Sequence, residues 1–423
     1  MLTVLNNAWA LFLGLLLLMI GNGLQSTLLG VRGGIEGFSA FEMSVVMAAY
    51  FAGFLGGSRA APRMIGRVGH VRVFAALASM VSAAVVLFPV LTDPWLWALG
   101  RLIIGFCLSG VYVTAESWLN NAATNQTRGQ TLSLYVLVQV LGLIAGQALL
   151  VMADPSGFVL FVIPAVLVSI SFAPILLSVA PAPAFDTAKP MTLRALYRVS
   201  PLGCVGMLLL GTVFSAQFGM SAVYGAEAGL SVEEISLFVS MFFVGALAVQ
   251  YPLGWLSDRM DRRLLILATA AIGAAGAVLG LGLGATSSTM LMLAAFLIGG
   301  MSNPLYSLLI AYTNDFLQAE DMAAASAGLV FINGLGAIGG PLVAGQVMNA
   351  VGPSGVFAVI AVFFAALTLY AAWRMTRRPA PSAEETGSYA PLGPGVTPVA
   401  VEIAQEYAID TALEDHENPP QAG

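Results

Sequence analysis

Residues 59–72 read RAAPRMIGRVGHVR, which places four arginines within fourteen positions between two long apolar stretches. Ten more of the sixteen basic residues lie in other gaps between apolar stretches. Along the chain, every second gap contains basic residues and the gaps between contain almost none. Basic residues beside membrane-spanning helices are retained in the cytoplasm, so this alternation predicts about twelve crossings with both termini cytoplasmic. The ten are Arg128, Lys189, Arg194, Arg198, Arg259, Arg262, Arg263, Arg374, Arg377 and Arg378, and only Arg32 and Arg101 depart from the pattern.

The composition also indicates an integral membrane protein. Apolar residues make up 58% of the chain and charged residues 9%, against about 25% charged residues in a soluble domain. Each apolar stretch has about the twenty residues that a helix needs to cross roughly 30 Å of hydrocarbon. Because a lipid-exposed backbone must satisfy its own hydrogen bonds, we predict an all-α fold. The predicted spans are 8–29, 41–61, 71–91, 96–117, 130–152, 157–179, 202–224, 234–256, 264–286, 290–313, 322–348 and 355–375.

The formal net charge of −6 arises in the C-terminal segment. Beyond residue 380 the chain carries eight acidic residues and no Lys or Arg. A segment that is also rich in Pro, Ala and Gly buries too little apolar surface to fold alone. We therefore expect residues 379–423 to be a disordered acidic tail in the cytoplasm. The alternative is one short amphipathic helix over 398–413 that packs on a partner.

The chain repeats itself at an offset of 192 positions, which becomes 194 near the ends of the two copies. Ser39-x-x-Glu42 falls on Ser231-x-x-Glu234, and both copies precede an apolar run. This spacing is typical of a capping box at a helix start. Two six-helix halves around a central site is an arrangement of secondary transporters. We predict an N-terminal half over 1–179, a linker over 180–200 that prolines keep non-helical, and a C-terminal half over 201–378.

Two motifs extend the interpretation. Residues 254–263 read GWLSDRMDRR, and residues 101–105 read RLIIG. The first resembles the Asp-Arg loop of the major facilitator superfamily, and the second is similar to its Arg-x-x-x-Gly. The equivalent first-half loop departs from the family motif, because Gly66 stands where the second half has Asp258. Together with LLGVR at 28–32 and EGFS at 36–39, the pattern resembles the YcaD-like bacterial branch of that superfamily.

The resemblance covers roughly residues 1–378. It implies the major facilitator fold, with twelve transmembrane helices in two pseudo-symmetric halves, a monomeric protein and a multi-pass location in a bacterial inner membrane. It also implies that the 254–263 loop latches the cytoplasmic ends of the two halves. In such a latch Gly254 permits a tight turn and Asp258 pairs with a cation such as Arg259 or Arg262. The alternative is a basic loop that only sets topology.

Polar residues within the spans are the candidates for a solute site, because ionisable and polar groups at membrane depth usually face a cavity or a partner. Arg101 and Tyr112 are three helical turns apart and share a face. Gln25 aligns with Gln217 in the repeat, which suggests a symmetric cavity lining. Each of these polar side chains could instead join helices by hydrogen bonds. Arg101 could also lie at the outer interface and extend its charge to water. The predicted substrate-binding residues are Asn22, Gln25, Arg101, Tyr112, Gln217, Tyr224, Asn303 and Tyr306.

The predicted function is secondary transport of a small organic solute by alternating access, without cofactor or nucleic acid. Glu116 is the only carboxylate that we place within a span, so in a proton-coupled mechanism the proton would bind there. The alternative is a solvated, cap-like residue near the inner end of its helix. An enzyme is disfavoured, because the two histidines, His70 and His416, cannot build a metal site or a histidine triad within the membrane. The alternative from another class is a transporter-like sensor that binds solute without net transport.

Overall fold

Thirteen helices make up the described part of the chain in a computed structural model. The structure describes residues 2–122, 127–174 and 191–377, together with 389, 392, 393, 395, 397–401 and 403–405, which we call the tail segment. The first half contains α1 (Leu2–Ile35), α2 (Ala40–Val68), α3 (His70–Leu87), α4 (Pro94–Ala122), α5 (Arg128–Leu150) and α6 (Val159–Ser171). Then follow α7 (Leu193–Val199), α8 (Pro201–Glu227), α9 (Val232–Ser257), α10 (Arg262–Leu283), α11 (Ser288–Asn314), α12 (Ala319–Val351) and α13 (Gly355–Met375).

The prediction of an all-α membrane protein is confirmed. Eleven of the described helices are long and apolar enough to span a membrane, and α6 is a shorter apolar helix. The predicted sixth span, 157–179, extends beyond α6, and its last residues lie outside the described part. The linker prediction needs one correction. Residues 193–199 form α7, which starts after Pro190 and is capped by the Thr192 side chain.

Helix packing repeats between the halves in the way that the sequence offset predicts. In the first half α2 packs on α4, α1 on α5 and α6, and α3 on α4 and α6. The second half repeats each pair, since α9 packs on α11, α8 on α12 and α13, and α10 on α11 and α13. The halves meet through α1 with α8, α2 with α12, and α5 with α9. These contacts are also related by the repeat, so the bundle is pseudo-symmetric.

Both predicted capping boxes are present at equivalent helix starts. The N–H of Glu42 donates to Ser39 Oγ (3.2 Å), and the N–H of Ser39 donates to the Glu42 carboxylate (2.8 Å). The second copy has the same pair between Ser231 and Glu234, at 3.2 and 2.9 Å. Each box satisfies amide groups that the first helical turn leaves unpaired. The two glutamates are therefore explained by helix starts and need no role in coupling.

Gly53 and Gly245 are 192 positions apart and allow close packing of equivalent helix pairs. A Cβ atom on Gly53 would lie 2.0 Å from the Leu102 carbonyl oxygen, and one on Gly245 would lie 2.1 Å from that of Phe296. Real side chains do not approach a backbone so closely. The glycines therefore set the spacing of the α2–α4 pair and of its repeat, α9–α11, as small residues do between membrane helices.

We expect Gly53→Ala to lower the free energy of unfolding by about 1–3 kcal/mol, because the added methyl group must push α4 away. Gly66→Ala in the same helix is a matched control, since a Cβ there meets nothing within 4 Å. The control should be neutral or up to about 1 kcal/mol more stable. Thermal unfolding of the purified variants in detergent measures both. Equal melting temperatures would show that α2 and α4 can separate without cost.

The two ends of the bundle differ in how the halves meet. We call the end that carries Arg63, Arg67 and Arg259 the basic end, and the other the opposite end. At the opposite end Ser236 Oγ of α9 donates to the Gln147 carbonyl of α5 at 2.8 Å. Other small residues are in contact across the same interface, Gly30 with Ala222 and Gly345 with Ser44. Helix-to-helix contacts therefore close the opposite end.

The tail segment lies between the halves at the basic end, which differs from the solvated tail that we expected. Thr397, Ala400 and Val401 are completely buried, and Ile403 and Ala404 nearly so. Residues 398–401 and 403–405 are helical, as in the alternative of a short packed helix. The physical reason lies in how charge is distributed along the tail. No residue of the tail segment carries a charge, so the segment can be buried although the tail as a whole is acidic.

Candidate functional site: a central cavity between the halves

A cavity of ≈ 190 Å³ lies between the two halves. Helices α1, α2, α4 and α5 form one wall, and α8, α9 and Asn303 of α11 form the other. Leu392, Gly393 and Gly395 of the tail segment also line it, on the side of the basic end. The cavity is thus bounded by both halves and by the tail segment. This is where a solute site is expected in a two-half transporter.

The first-half wall carries a buried cation. Arg101 is 3% exposed, and its Nη1 donates to Gln25 Oε1 at 3.1 Å. The guanidinium lies over the ring of Tyr50, with 4.4 Å from Cζ to the ring centroid. Asn22 continues the polar wall by donating to the Tyr112 hydroxyl at 3.3 Å. Among the described residues no carboxylate forms an ion pair with Arg101.

The second-half wall carries a cluster of aromatic rings beside the polar side chains of Gln250 and Asn303. Phe218 lies between Phe214 and Phe243, with ring centroids at 4.5 and 5.0 Å, and the pair with Phe243 is stacked. Aromatic faces in this arrangement can hold a flat apolar group of a ligand by further stacking. The cavity therefore has a buried cation on one side and this aromatic cluster on the other. That asymmetry is a property of this chain, because the repeat alone would make the two walls alike.

Four of the eight predicted substrate-binding residues line the cavity. They are Asn22, Arg101, Tyr112 and Asn303. Gln25 does not line it but lies behind Arg101, where it accepts a hydrogen bond from the guanidinium. Its repeat partner Gln217 is also buried away from the cavity and accepts from Ser302 Oγ at 2.9 Å. The predicted symmetric lining by these two glutamines was therefore wrong, because each joins neighbouring helices instead.

The remaining two predicted residues belong to the helix packing. Tyr224 is 1% exposed and its ring contacts Phe238 and Phe357, with centroids 5.7 and 5.0 Å away. Tyr306 is completely buried and its hydroxyl has no hydrogen-bond partner in the described part of the protein. Both side chains are buried, and neither lines the cavity.

Glu116 is completely buried near the end of α4, and its carboxylate binds the tail segment. The backbone N–H groups of Thr397 and Ala400 donate to it, each at 3.3 Å. The Thr397 hydroxyl and the Tyr135 hydroxyl donate to it as well. Four donors therefore surround one carboxylate, and three of them come from the tail. A carboxylate with these donors is well satisfied without a cation.

The tail segment is also held by the second half. Ser307 Oγ of α11 accepts from the Leu392 N–H at 2.8 Å, and Gln250 Nε2 of α9 donates to the Leu392 carbonyl at 3.3 Å. Gln405 Nε2 donates to the Met322 carbonyl of α12 at 2.9 Å. The segment thus joins α4 of the first half to α9, α11 and α12 of the second.

The residues of the predicted latch lie where the tail enters the bundle. Asp258 accepts from the Tyr389 N–H at 2.9 Å and is 3.7 Å from the Arg262 guanidinium. Burial raises the pKa of Asp258 above its usual range, while the Tyr389 N–H and Arg262 favour its charged form. Gly254 lies under the Tyr389 ring, which a Cβ would approach to 2.7 Å.

The two latch arginines have different surroundings. Arg259 is exposed and stacks on Trp255, with 4.3 Å from its Cζ to the ring centroid. Arg262 is buried and pairs with Asp315 at the end of α11. These contacts lie within the second half and to the tail segment, whereas the predicted latch joins the cytoplasmic ends of the halves. The latch role stays a prediction.

The cavity also uses residues that sequence reasoning missed. Gln139 and Gln250 line it and carry the same signal as Asn22, a polar side chain within a span, so a wider search of the spans would have found them. The aromatic residues Tyr50, Phe214 and Phe243 also line it, but aromatic side chains in an apolar helix give no such signal.

Comparison with known proteins agrees with this architecture. The family model described as "Sugar (and other) transporter" matches residues 7–179, and the one described as "Major Facilitator Superfamily" matches residues 202–400. An uncharacterized MFS-type transporter of Yersinia pestis (strain Pestoides F) is 25% identical over 355 residues, which cover 83% of this chain and 91% of the relative. The uncharacterized MFS-type transporter YcaD of Salmonella heidelberg (strain SL476) is 24% identical over the same lengths.

Solved structures show the same fold. The crystal structure of nucleoside transporter NupG matches with a TM-score of 0.68 and 14% identity, covering 88% of this chain and 98% of that chain. A mutant of NupG matches with a TM-score of 0.76 and 13% identity, covering 87% and 99%. At these identities the likeness concerns the fold alone. The matches over both halves, together with the pseudo-symmetric bundle and its central cavity, place the chain in the major facilitator superfamily as a multi-pass membrane transporter and not an enzyme.

Proposed function

We propose that the protein is a secondary active transporter that moves a small organic solute across a bacterial inner membrane by alternating access. The observation that carries this proposal is the central cavity, which is bounded by both halves and closed by helix contacts at the opposite end. A rocking motion of the halves would open the cavity to each side in turn. Such a mechanism needs neither a cofactor nor a nucleotide.

The proposed solute site comprises Arg101, Asn22, Tyr112 and Asn303, which converge on the cavity. The basic end is proposed to face the cytoplasm, as the distribution of Lys and Arg predicts. Glu116 is the proposed site of a coupling proton. Its support is the complete burial of a carboxylate at the interface of the halves, beside the tail segment. Intramembrane carboxylates in such positions often form proton relays.

The test separates a transporter from a sensor. Purified protein is reconstituted into liposomes, and a solute panel is screened both for thermal stabilisation and for uptake against control liposomes. A transporter gives uptake for the solutes that stabilise it. Stabilisation without uptake would favour the sensor, particularly if uptake is also absent when residues 380–423 are removed.

A further inference from the structure

The buried cation of the cavity wall identifies a class of solute. Arg101 is 3% exposed and lines the cavity, and removing a guanidinium from water is costly unless an anion or acceptors replace the water. No carboxylate described by the structure pairs with it. This inference rests on the proposed function only in taking the cavity as the solute site.

The hydrogen bonds of Arg101 leave most of its capacity unused. Nη1 donates to Gln25 Oε1 at 3.1 Å and lies 3.5 Å from Ser26 Oγ. Nη2 faces only the Met47 sulfur at 3.7 Å, which is a weak acceptor. Nε has no partner among the described residues. The Tyr50 ring offers the charge a π face, which compensates for only part of the lost hydration.

The opposite wall accommodates a different chemical group. Phe214, Phe218 and Phe243 present a cluster of aromatic rings to the same cavity, in which Phe218 and Phe243 are stacked. A solute that satisfies both walls carries one anionic group and one flat apolar group. A second negative charge would be buried without a partner, which disfavours dianions.

We propose that the cavity binds amphipathic organic monoanions, with a carboxylate on the free donors of Arg101 and an aromatic or other apolar body against Phe218. The carboxylate would complete the ion pair that the protein itself lacks. A guanidinium suits this role because its planar donors match the two oxygens of a carboxylate.

The experiment measures binding by the full-length protein. Benzoate, 4-phenylbutyrate and 2-naphthoate are each compared with the matching amide by isothermal calorimetry in detergent. We expect at least one carboxylate to bind about ten- to hundredfold more tightly than its amide, as a charge-assisted hydrogen bond implies. Arg101→Gln should abolish that preference and Arg101→Lys should retain part of it. Arg63→Gln, which changes an exposed arginine of α2, should leave it intact.

The outcomes are distinguishable from those of the transport test. If no carboxylate exceeds its amide in the parent protein or in full-length Ser307→Ala, in which tail docking is weakened, the proposed solute class is overturned, even if neutral solutes are transported. If the carboxylate preference is present but neither protein takes up solute in liposomes, the solute class stands and the proposed transport falls. Neither result depends on Arg101→Gln, so failure of that variant to fold does not affect the conclusion.

A separate observation, the docked tail segment, carries a second inference. The opposite end of the cavity is closed by helix contacts, and Leu392, Gly393 and Gly395 border it on the side of the basic end. The tail is anchored on both halves, through Glu116 on one and through Ser307 and Gln250 on the other. In this state a solute could not leave toward the basic end without displacing the tail.

We infer that the tail segment is an autoinhibitory plug, which must leave its site before the cavity opens at the basic end. The contacts at Glu116 explain how it is held, since three tail donors bind one buried carboxylate. The residues of the tail segment carry no charge, which allows the plug to lie within the bundle.

The test uses access to the cavity and needs no known solute. Ala246, which lines the cavity, is changed to Cys in a chain where Cys107 and Cys204 are replaced by Ala. Labelling by a water-soluble methanethiosulfonate is then timed in inside-out vesicles. A chain that ends after Glu385 should be labelled at least about tenfold faster than the full chain, because the hydrogen bonds that hold the plug are gone.

A matched truncation and a point variant complete the design. A chain that ends after Gln405 keeps the tail segment and should be labelled at the rate of the full chain. In the full-length protein Ser307→Ala removes the contact of α11 with Leu392 and should also speed labelling. Equal labelling rates for the full chain and the chain ending after Glu385 would overturn the plug. If the chain ending after Glu385 does not fold, the full-length double variant Ser307→Ala/Thr397→Val is used. An unchanged labelling rate in that variant would overturn the plug.

Discussion

Replacing Glu116 by Gln should abolish solute accumulation driven by a pH gradient while leaving counterflow exchange of the solute intact. With one proton per solute, a gradient of one pH unit supports up to about tenfold accumulation, and the variant should reach no accumulation. The reason is that Gln keeps the volume of Glu116 but cannot carry a proton on and off. Uptake into liposomes with an imposed pH gradient measures the first quantity, and exchange of labelled for unlabelled solute measures the second.

The tail contacts require a control for this variant. A Gln side chain also weakens the docking of Thr397 and Ala400, because it replaces one acceptor oxygen by a donor. The same substitution is therefore made in a chain that ends after Glu385. If coupling resides at Glu116, pH-driven accumulation is lost in both chains. Accumulation that persists in the variant would move the coupling site elsewhere or favour a uniporter.

Breaking the Arg262–Asp315 pair should have the largest effect on stability. Both side chains are 2% exposed, and the guanidinium also donates to Ser257 Oγ at 3.1 Å. Arg262→Met leaves the Asp315 charge buried without this partner, which is expected to cost about 3–5 kcal/mol of unfolding free energy. Equilibrium unfolding in mixed detergent micelles measures the loss.

Two further variants test the cause of that loss. Arg262→Met combined with Asp315→Leu should recover most of the stability, because no uncompensated charge is then buried. Arg259→Met, at an exposed arginine of the same loop, should change the unfolding free energy by no more than about 0.5 kcal/mol. If Arg262→Met lowers the unfolding free energy as little as Arg259→Met does, the buried pair does not stabilise the fold.

Much of the fold could be predicted from the sequence. Backbone groups in lipid must bond within their own segment, so long apolar stretches become helices whatever their detailed sequence. The repeat offset predicted the equivalent capping boxes at Ser39 and Ser231, and the structure adds equivalent close contacts at Gly53 and Gly245, which are 192 positions apart. These features depend on residues that are near in sequence or on a regular repeat.

Only part of the candidate site could be predicted, because the positions of polar residues in a membrane helix do not reveal how the helix is rotated about its axis. Helix α1 shows this, since Asn22 lines the cavity while Gln25 lies behind Arg101. In a soluble helix the polar face marks the solvent side, but in a membrane bundle the lipid side and the packed side are both apolar. Packing against neighbouring helices therefore decides which of the two polar groups reaches the cavity.

The C-terminal segment shows the difference between what composition predicts and what only the tertiary structure decides. Its acidic composition indicated a solvated tail, because composition averages over the whole segment. Only the tertiary structure brings Thr397 to Glu116 and Leu392 to Ser307, contacts between residues 281 and 85 positions apart. The sequence by itself determined the long apolar helices, because local hydrogen bonding in lipid dictates them, and the repeat predicted their pseudo-symmetry. The tertiary structure decided the cavity lining and the docked tail, because both depend on complementary groups that meet only after the halves assemble.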